Sequence, residues 1–126
     1  MYIPNDPSST TDDAQYNIAI GVTALDAITT GDNNVAVGSN ALTSNTTGGY
    51  NTAIGNSVLS SNTTASGNTG MGFYSLRVNT TGYKNTASGY SALGSNTTGS
   101  FNTASGYQSL NSNTEGDYNT ASGFWS

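Results

Sequence analysis

Hydroxyl groups of serine and threonine recur along the whole sequence, but no side chain beside them could act as a base. The 126-residue chain has no histidine and no cysteine, and Arg77 and Lys84 are its only basic residues. A serine or threonine nucleophile needs a neighbouring base to take its proton. We therefore expect no catalytic residue and no enzyme activity.

The acidic residues do not form a metal-binding pattern. Five of the seven acids lie within the first 32 residues, and they do not recur at a fixed spacing. Repeated calcium sites need aspartates at a regular interval, and structural zinc sites need cysteine or histidine. The sequence predicts no metal site and no cofactor.

The balance of charge also limits the partners. The formal net charge is −5, which is the wrong sign for a surface that binds phosphate groups. No run of residues is apolar enough to span a bilayer, and no signal peptide is visible. We expect neither nucleic-acid binding nor membrane insertion.

Aromatic residues concentrate in the C-terminal third, where tyrosine rings on a polar surface could contact sugars. In the alternative interpretation, the rings fill a small core or a subunit interface. The candidates for glycan contact are Tyr90, Tyr107 and Tyr118.

Two further sets of polar residues recur. One set consists of Asn-Thr-Thr glycosylation sequons, which begin at Asn45, Asn62, Asn79 and Asn96. Their recurrence follows from an underlying repeat, so it does not by itself require modification. The other set would give the flat hydroxyl face of an ice-binding solenoid. Its members are Thr86/Ser88, Thr103/Ser105 and Thr120/Ser122.

All of these groups are placed by one repeat of seventeen residues. A glycine recurs at this interval without insertion or deletion, and a leucine follows four residues after it. Such a period indicates a solenoid, in which each repeat is a coil that buries its apolar face against its neighbours. The glycines are Gly21, Gly38, Gly55, Gly72, Gly89, Gly106 and Gly123.

The alternation in the unit Asn-Thr-Ala-x-Gly predicts a short strand with its alanine pointing inward. The glycine after it and the Asn-Thr-Thr-Gly run tolerate positive φ, so we expect two strands and two corners per coil. The predicted fold class is all-β, a parallel β-solenoid or β-roll of seven 17-residue coils. The predicted core and stacking residues are Leu25, Leu42, Leu59, Leu76, Leu93, Leu110, Ala36, Ala53, Ala87 and Ala104.

Stacking at about 4.8 Å per coil places like side chains above one another. Asn, Thr and Ser can then hydrogen-bond along their columns, whereas like charges would repel. The residue before the repeated glycine changes from aliphatic to serine, and the residue after it becomes aromatic from Phe73 onward. We expect an Ile/Val core in the first half and an aromatic-bearing second half. In the alternative interpretation, these positions form a surface column whose residue types drift along the chain. This core is thin, which favours a core shared among three chains.

The ends of the sequence suggest a second mode of assembly. Residues 1–7 contain both prolines and are predicted to form an extended arm, while residues 8–126 make seven whole repeats. The repeats begin at Ser8 and stop at Ser126 at the same point of the repeat unit. Ser8 of one chain could therefore follow Ser126 of another in unbroken register, head to tail. The candidate assembly residues are Tyr2 and Ile3 in the arm, and Phe124 and Trp125 in the last coil.

The repeat resembles those of a known class of fibres. The segment Asn51-Thr52-Ala53-Ile54-Gly55, followed by Leu59 and Asn62-Thr63-Thr64, is similar to repeats of phage tail-fibre-like proteins. More loosely, Asn34-Val35-Ala36-Val37-Gly38 resembles the left-handed parallel β-roll heads of trimeric autotransporter adhesins. The resemblance covers residues 16–126.

This resemblance implies a homotrimeric fibre, either a rigid shaft or an adhesive head. Such a protein would work outside the cell, on a virion or cell-surface appendage, and would contact a host-surface glycan or receptor. In these families the repeats are structural and no residue is catalytic. We expect a structural protein whose main partner is itself, as a trimer or a head-to-tail filament. An ice-binding solenoid with a Thr/Ser ladder is the alternative.

Overall fold

The computed structural model describes residues 14–126, which form a parallel β-solenoid. Each coil contributes one three-residue strand, and the seven strands lie in sequence order in one sheet. The predicted arm at residues 1–7, with Tyr2 and Ile3, lies outside the described residues. The strands are β1 (Ile18–Ile20), β2 (Val35–Val37), β3 (Thr52–Ile54), β4 (Thr69–Met71), β5 (Thr86–Ser88), β6 (Thr103–Ser105) and β7 (Thr120–Ser122).

Neighbouring strands pair in parallel with an offset of one repeat, so that Ala36 lies beside Ala53 and Ala87 beside Ala104. The prediction of an all-β parallel solenoid is therefore confirmed. The prediction of two strands per coil is wrong for the described residues. Inter-coil hydrogen bonds continue beyond the strand, as from Leu42 N–H to the Val58 carbonyl at 3.0 Å. The backbone there takes positive φ at intervals, which is incompatible with a second extended strand.

The middle residue of each strand points inward and the two flanking residues point outward. Ala36, Ala53 and Ala87 are completely buried. The expectation of an Ile/Val core in the first half is wrong. Ile54 and Met71 flank the buried position, and because side chains alternate along a strand they lie on the outer face, 42% and 41% exposed.

The leucine of each coil is buried in an unusual backbone conformation. Its φ lies between 48° and 53°, in the left-handed region. That conformation costs an L-residue about 1–2 kcal/mol, while full burial of a leucine side chain contributes about 1.5–3 kcal/mol. Burial thus offsets the strain. The leucines at this position are Leu25, Leu42, Leu59, Leu76, Leu93 and Leu110, of which Leu110 is only partly buried.

Glycine recurs at two positions of the coil, for different physical reasons. The glycine after each strand has the predicted positive φ, 137° at Gly38, and a Cβ there would overlap the Gly55 carbonyl. The glycines of the Asn-Thr-Thr-Gly runs were also expected at positive φ, and this is wrong. Gly48 and Gly82 lie outside the left-handed region, and a Cβ there would overlap a carbonyl oxygen of the following coil. In these coils there is no room for a side chain, whereas the third coil accommodates the methyl group of Ala65 at the same position.

The apolar interior is narrow. It consists of the leucine column, the strand alanines, Ile28 and a second small column at Ala41, Val58 and Ala92. Buried asparagines occupy most of the remaining interior, together with Ser75 and Ser109. Residues 14–126 include no helix that is long and apolar enough to cross a membrane.

Candidate functional site

A column of asparagines runs through the interior at the position just before each strand. The backbone N–H of Asn51 donates to Asn34 Oδ1 at 3.0 Å, and that of Asn68 donates to Asn51 Oδ1 at 2.9 Å. Each side chain therefore links two neighbouring coils. This first asparagine column comprises Asn17, Asn34, Asn51, Asn68, Asn85, Asn102 and Asn119.

A second asparagine column begins the Asn-Thr-Thr runs. The Nδ2 of Asn79 donates to Asn62 Oδ1 at 3.2 Å and to the Gly82 carbonyl at 2.8 Å. The predicted hydrogen bonding along polar columns is thus confirmed. The second asparagine column comprises Asn45, Asn62, Asn79, Asn96 and Asn113.

The two columns meet at one carbonyl in each coil. The Gly82 carbonyl accepts from Asn68 Nδ2 at 2.9 Å as well as from Asn79 Nδ2 at 2.8 Å, so both of its lone pairs are used. Within residues 14–126, no buried side-chain nitrogen or oxygen lacks a partner. The same arrangement recurs at the carbonyls of Gly48, Ala65, Gly99 and Gly116.

This geometry bears directly on the glycosylation sequons. Asn45, Asn62, Asn79 and Asn96 are fully buried. Both Nδ2 hydrogens of Asn62, Asn79 and Asn96 donate to protein acceptors. A glycan at these nitrogens would require the coil to open, so the folded solenoid does not present these sequons for modification.

Outside the solenoid, four aromatic rings stack along the position after the repeated glycine. Successive ring centroids are 5.5 Å apart between Phe73 and Tyr90, and 5.0 Å apart from Tyr90 to Tyr107 and from Tyr107 to Phe124. The interplanar angles are 9–12°. The distance between neighbouring coils, about 4.8 Å, is close to the distance between the centroids of neighbouring rings. These four residues are called the outer aromatic column.

Ring stacking reduces the number of tyrosines whose ring faces could contact a glycan. A sugar packs its C–H face on the face of an aromatic ring, but Tyr90 and Tyr107 each have rings against both faces. They present ring edges and hydroxyls instead. Tyr118 is different, since one face lies on Phe101 at 4.9 Å and the side chain is 76% exposed. Of the three candidates, Tyr118 is the one with the most accessible ring.

A second surface column, here called the corner column, lies two residues before each strand. Its side chains include aromatic rings, an amide and an amine, yet its non-glycine members all have φ between 54° and 60°. Glycine at position 67 has φ 73°. The members are Tyr16, Asn33, Tyr50, Gly67, Lys84, Phe101 and Tyr118.

The candidate assembly residues of the last coil lie on the surface. Phe124 and Trp125 are 72% and 69% exposed, and their ring centroids are 5.5 Å apart. Tyr2 and Ile3 lie outside the described residues. In the part of the chain that the structure describes, no three His, Cys, Asp or Glu side chains are grouped to hold a metal ion.

Comparison of the chain with protein-family models, curated protein sequences and solved structures gave no match.

Proposed function

We propose that this chain is a structural repeat protein, a rigid rod that associates with copies of itself in an extracellular fibre or appendage and contacts surface glycans. Its interior supports rigidity, because every coil is joined to the next through backbone bonds and asparagine side chains. The resemblance of its repeats to tail-fibre and adhesin repeats supports the setting, on a virion or a cell surface.

The observation that carries the proposal is the outer face of β1–β4. The strand positions that flank the buried residue are mostly aliphatic there, and they line up rung by rung in parallel register. Contiguous exposed apolar surface on a soluble protein marks an interaction site. The aliphatic side chains of this outer strip are Ile18, Ile20, Val35, Val37, Ile54 and Met71.

A second copy of the same strip is the partner that fits best. Any surface that packs against the strip must match rungs that repeat at about 4.8 Å, and another solenoid has this spacing by construction. A closed ring of three copies, or a continuing filament, would cover the strip. The thin core by itself does not require a second chain. The asparagine columns fill the interior within one chain, and in residues 14–126 every buried side-chain polar atom has a hydrogen-bond partner.

The chain itself supplies the residues for a test. In β5–β7 the last strand position is Ser88, Ser105 or Ser122, in the same backbone setting as Ile20, Ile54 and Met71. The triple variant Ile20→Ser, Ile54→Ser, Met71→Ser should therefore fold and lose self-association. The matched control carries Ser88→Ala, Ser105→Ala and Ser122→Ala, and should assemble like the wild type.

Sedimentation velocity over a range of concentrations, read together with electron micrographs, gives the assembly state. We expect trimers or filaments for the wild type and the control, and monomers for the triple variant with an unchanged circular dichroism spectrum. A wild type that stays monomeric at every concentration contradicts the proposal, and so does a triple variant that assembles normally.

A specific observation also favours a second function, ice binding. The first strand position is threonine in five successive coils, and these side chains point outward from one sheet. They differ from Thr46, Thr63 and Thr80, whose hydroxyls each donate to a backbone carbonyl of the next coil. The outward residues are Thr52, Thr69, Thr86, Thr103 and Thr120.

Thermal hysteresis separates this function from assembly. If the threonine face binds ice, purified protein should depress the freezing point below the melting point, and Thr86→Leu together with Thr103→Leu should reduce the gap. Absence of hysteresis at millimolar concentration would exclude ice binding and leave the structural proposal unaffected.

A further inference from the structure

The corner column has one gap, at Gly67. All six other members carry side chains at nearly the same φ, so the backbone does not require glycine there. A Cβ on Gly67 would lie in open space except toward Lys84, whose Cγ would be 3.3 Å away. The glycine changes the surface. Because it has no side chain, a space remains between Tyr50 in the coil before and Lys84 in the coil after.

This space is a depression that opens to solvent, with a volume of about 490 Å³. Pockets for small ligands range from about 300 to 1,000 Å³. Two tyrosine rings, Tyr50 and Tyr83, line it together with the hydroxyl-bearing side chains of Thr64 and Thr81. Aromatic rings with hydroxyls at their edges suit a sugar, which presents C–H groups on its faces and hydroxyls around its rim.

Lys84 adds a charge preference. It is one of only two basic residues in a chain of net charge −5, and it lines the depression. Its Cγ faces Gly67, while its Nζ lies over the Phe101 ring of the next coil, 5.3 Å from the ring centroid. This long, flexible side chain can turn its ammonium group back over the depression to a carboxylate on the bound sugar.

We propose that the Gly67 depression binds one sugar ring that carries a carboxylate, such as a hexuronic or sialic acid residue of a surface glycan. The inference rests on the glycan-contact part of the proposed function and gives it a position and a ligand class. It does not depend on self-association, because the depression and the outer strip involve different residues.

The test is a titration of the full chain, followed by the backbone amide shifts of its NMR spectrum. The probes are sodium glucuronate, N-acetylneuraminate and, as a neutral control, glucose. We expect saturable shifts at Gly67, Tyr83 and Lys84 with at least one acidic sugar. Glucose should bind up to about fivefold more weakly, which is the contribution of an exposed ion pair. Raising the salt concentration should remove this preference.

Two variants locate the site. Gly67→Tyr fills the depression with the residue that the column already holds at Tyr16, Tyr50 and Tyr118, so the coil should fold while affinity falls at least tenfold. Lys84→Gln should remove the difference in affinity between the acidic sugars and glucose.

Each alternative outcome overturns the inference. Unchanged binding by Gly67→Tyr places the site elsewhere, and equal affinity of the wild type for glucose and the acidic sugars removes the carboxylate preference. No shift with any probe at 50 mM excludes a sugar site here. Shifts at these residues that depend on protein concentration alone would assign the depression to a second copy of the chain. The sedimentation result stands in every case, so failure of the sugar site is distinguishable from failure of the assembly.

Discussion

The glycine after each strand both adopts a left-handed φ and lets the next coil approach, and two of these glycines separate the two requirements. Gly89 and Gly123 have nearly the same φ, 138° and 135°. A Cβ on Gly89 would overlap the Gly106 carbonyl, whereas one on Gly123 would first meet Ser126 Cβ at 3.8 Å. Substitution by alanine would therefore strain the backbone at both positions, but it would cause a steric overlap only at Gly89.

We therefore expect Gly89→Ala to destabilise the protein more than Gly123→Ala. Backbone strain should cost each variant about 1–3 kcal/mol. The overlap with the next coil should add about 2 kcal/mol or more at Gly89. Urea unfolding of the two variants and the wild type measures the difference. Equal losses would show that inter-coil approach contributes nothing at this glycine.

The buried amides also make a prediction about pH. Asn79→Asp replaces a donor by an acceptor that faces the Gly82 carbonyl and Asn62 Oδ1. At pH 7 the variant should lose about 3 kcal/mol or more, because a buried charge lacks its partners. Burial raises the pKa of the introduced carboxyl above its ordinary value. The folded state then binds more protons than the unfolded state, so the variant gains stability as the pH falls.

Urea unfolding of Asn79→Asp and wild type at pH 7 and pH 4 measures this effect. The destabilisation should be smaller at pH 4. The matched control is Asn56→Asp, since Asn56 is exposed on the surface and a carboxylate there stays solvated. A loss at Asn79 that is the same at both pH values would contradict the role of the amide as a donor.

At the scale of the strand and the turn that packs behind it, one larger residue compensates for one smaller residue. Val58 stands in a column where Ala41 and Ala92 lie, and Gly70 stands where the strand alanines lie in other coils. A Cβ on Gly70 would be 2.5 Å from Val58 Cγ1. The extra bulk of the valine therefore occupies the space that the missing methyl group of the next strand leaves.

A double-mutant cycle tests this compensation. Gly70→Ala should cost about 1–3 kcal/mol through overpacking, and Val58→Ala about 2 kcal/mol through the cavity it leaves. The double variant recreates the alanine pair found in other coils and should lose less than the sum. We expect a favourable coupling of about 0.5–3 kcal/mol from denaturant titrations. Additive losses would mean that the two residues do not compensate each other.

Much of each coil was predictable from the sequence. The period, the strand at Asn-Thr-Ala-x-Gly and the inward alanine follow from spacing and alternation. The left-handed leucine was not predictable, because local preference disfavours it and only burial compensates. The outward Ile20 and Ile54 were misread because apolar residues on a strand normally face a core. The signal for the compensation between Val58 and Gly70 was present, since two columns change size in consecutive coils.

The candidate sites were less accessible to sequence reasoning. The concentration of tyrosines was visible, but the stacking that covers the faces of Tyr90 and Tyr107 depends on the distance between coils. The depression at Gly67 was missed, because a glycine in a glycine-rich repeat gives no sign that its neighbours carry large side chains. Only alignment of the corner column by period would have pointed to it.

For the whole molecule, the repeat predicts that coils are removable units. Deleting residues 86–102 joins Asn85 to Thr103 in the same phase as the original junction, and it leaves Phe73 to stack on Tyr107. The shortened chain should fold and lose roughly the stability of one inter-coil interface. Deleting only residues 86–93 shifts the phase by half a coil and should abolish cooperative unfolding. Circular dichroism and thermal unfolding of both deletions check this, and similar behaviour of the two would contradict the coil as the unit.

The compensation between Val58 and Gly70 has a consequence for how such a chain finds its register. In a solenoid of near-identical coils, a growing stack can skip a coil and loop it out, because the next strand offers the same hydrogen bonds. If the third coil stacked on β5 instead of β4, Val58 would face Ala87, whose methyl group occupies the space that Gly70 leaves empty. The wrong pairing is penalised by overlap at one position. The irregular coil thus disfavours a stack in which the fourth coil is skipped.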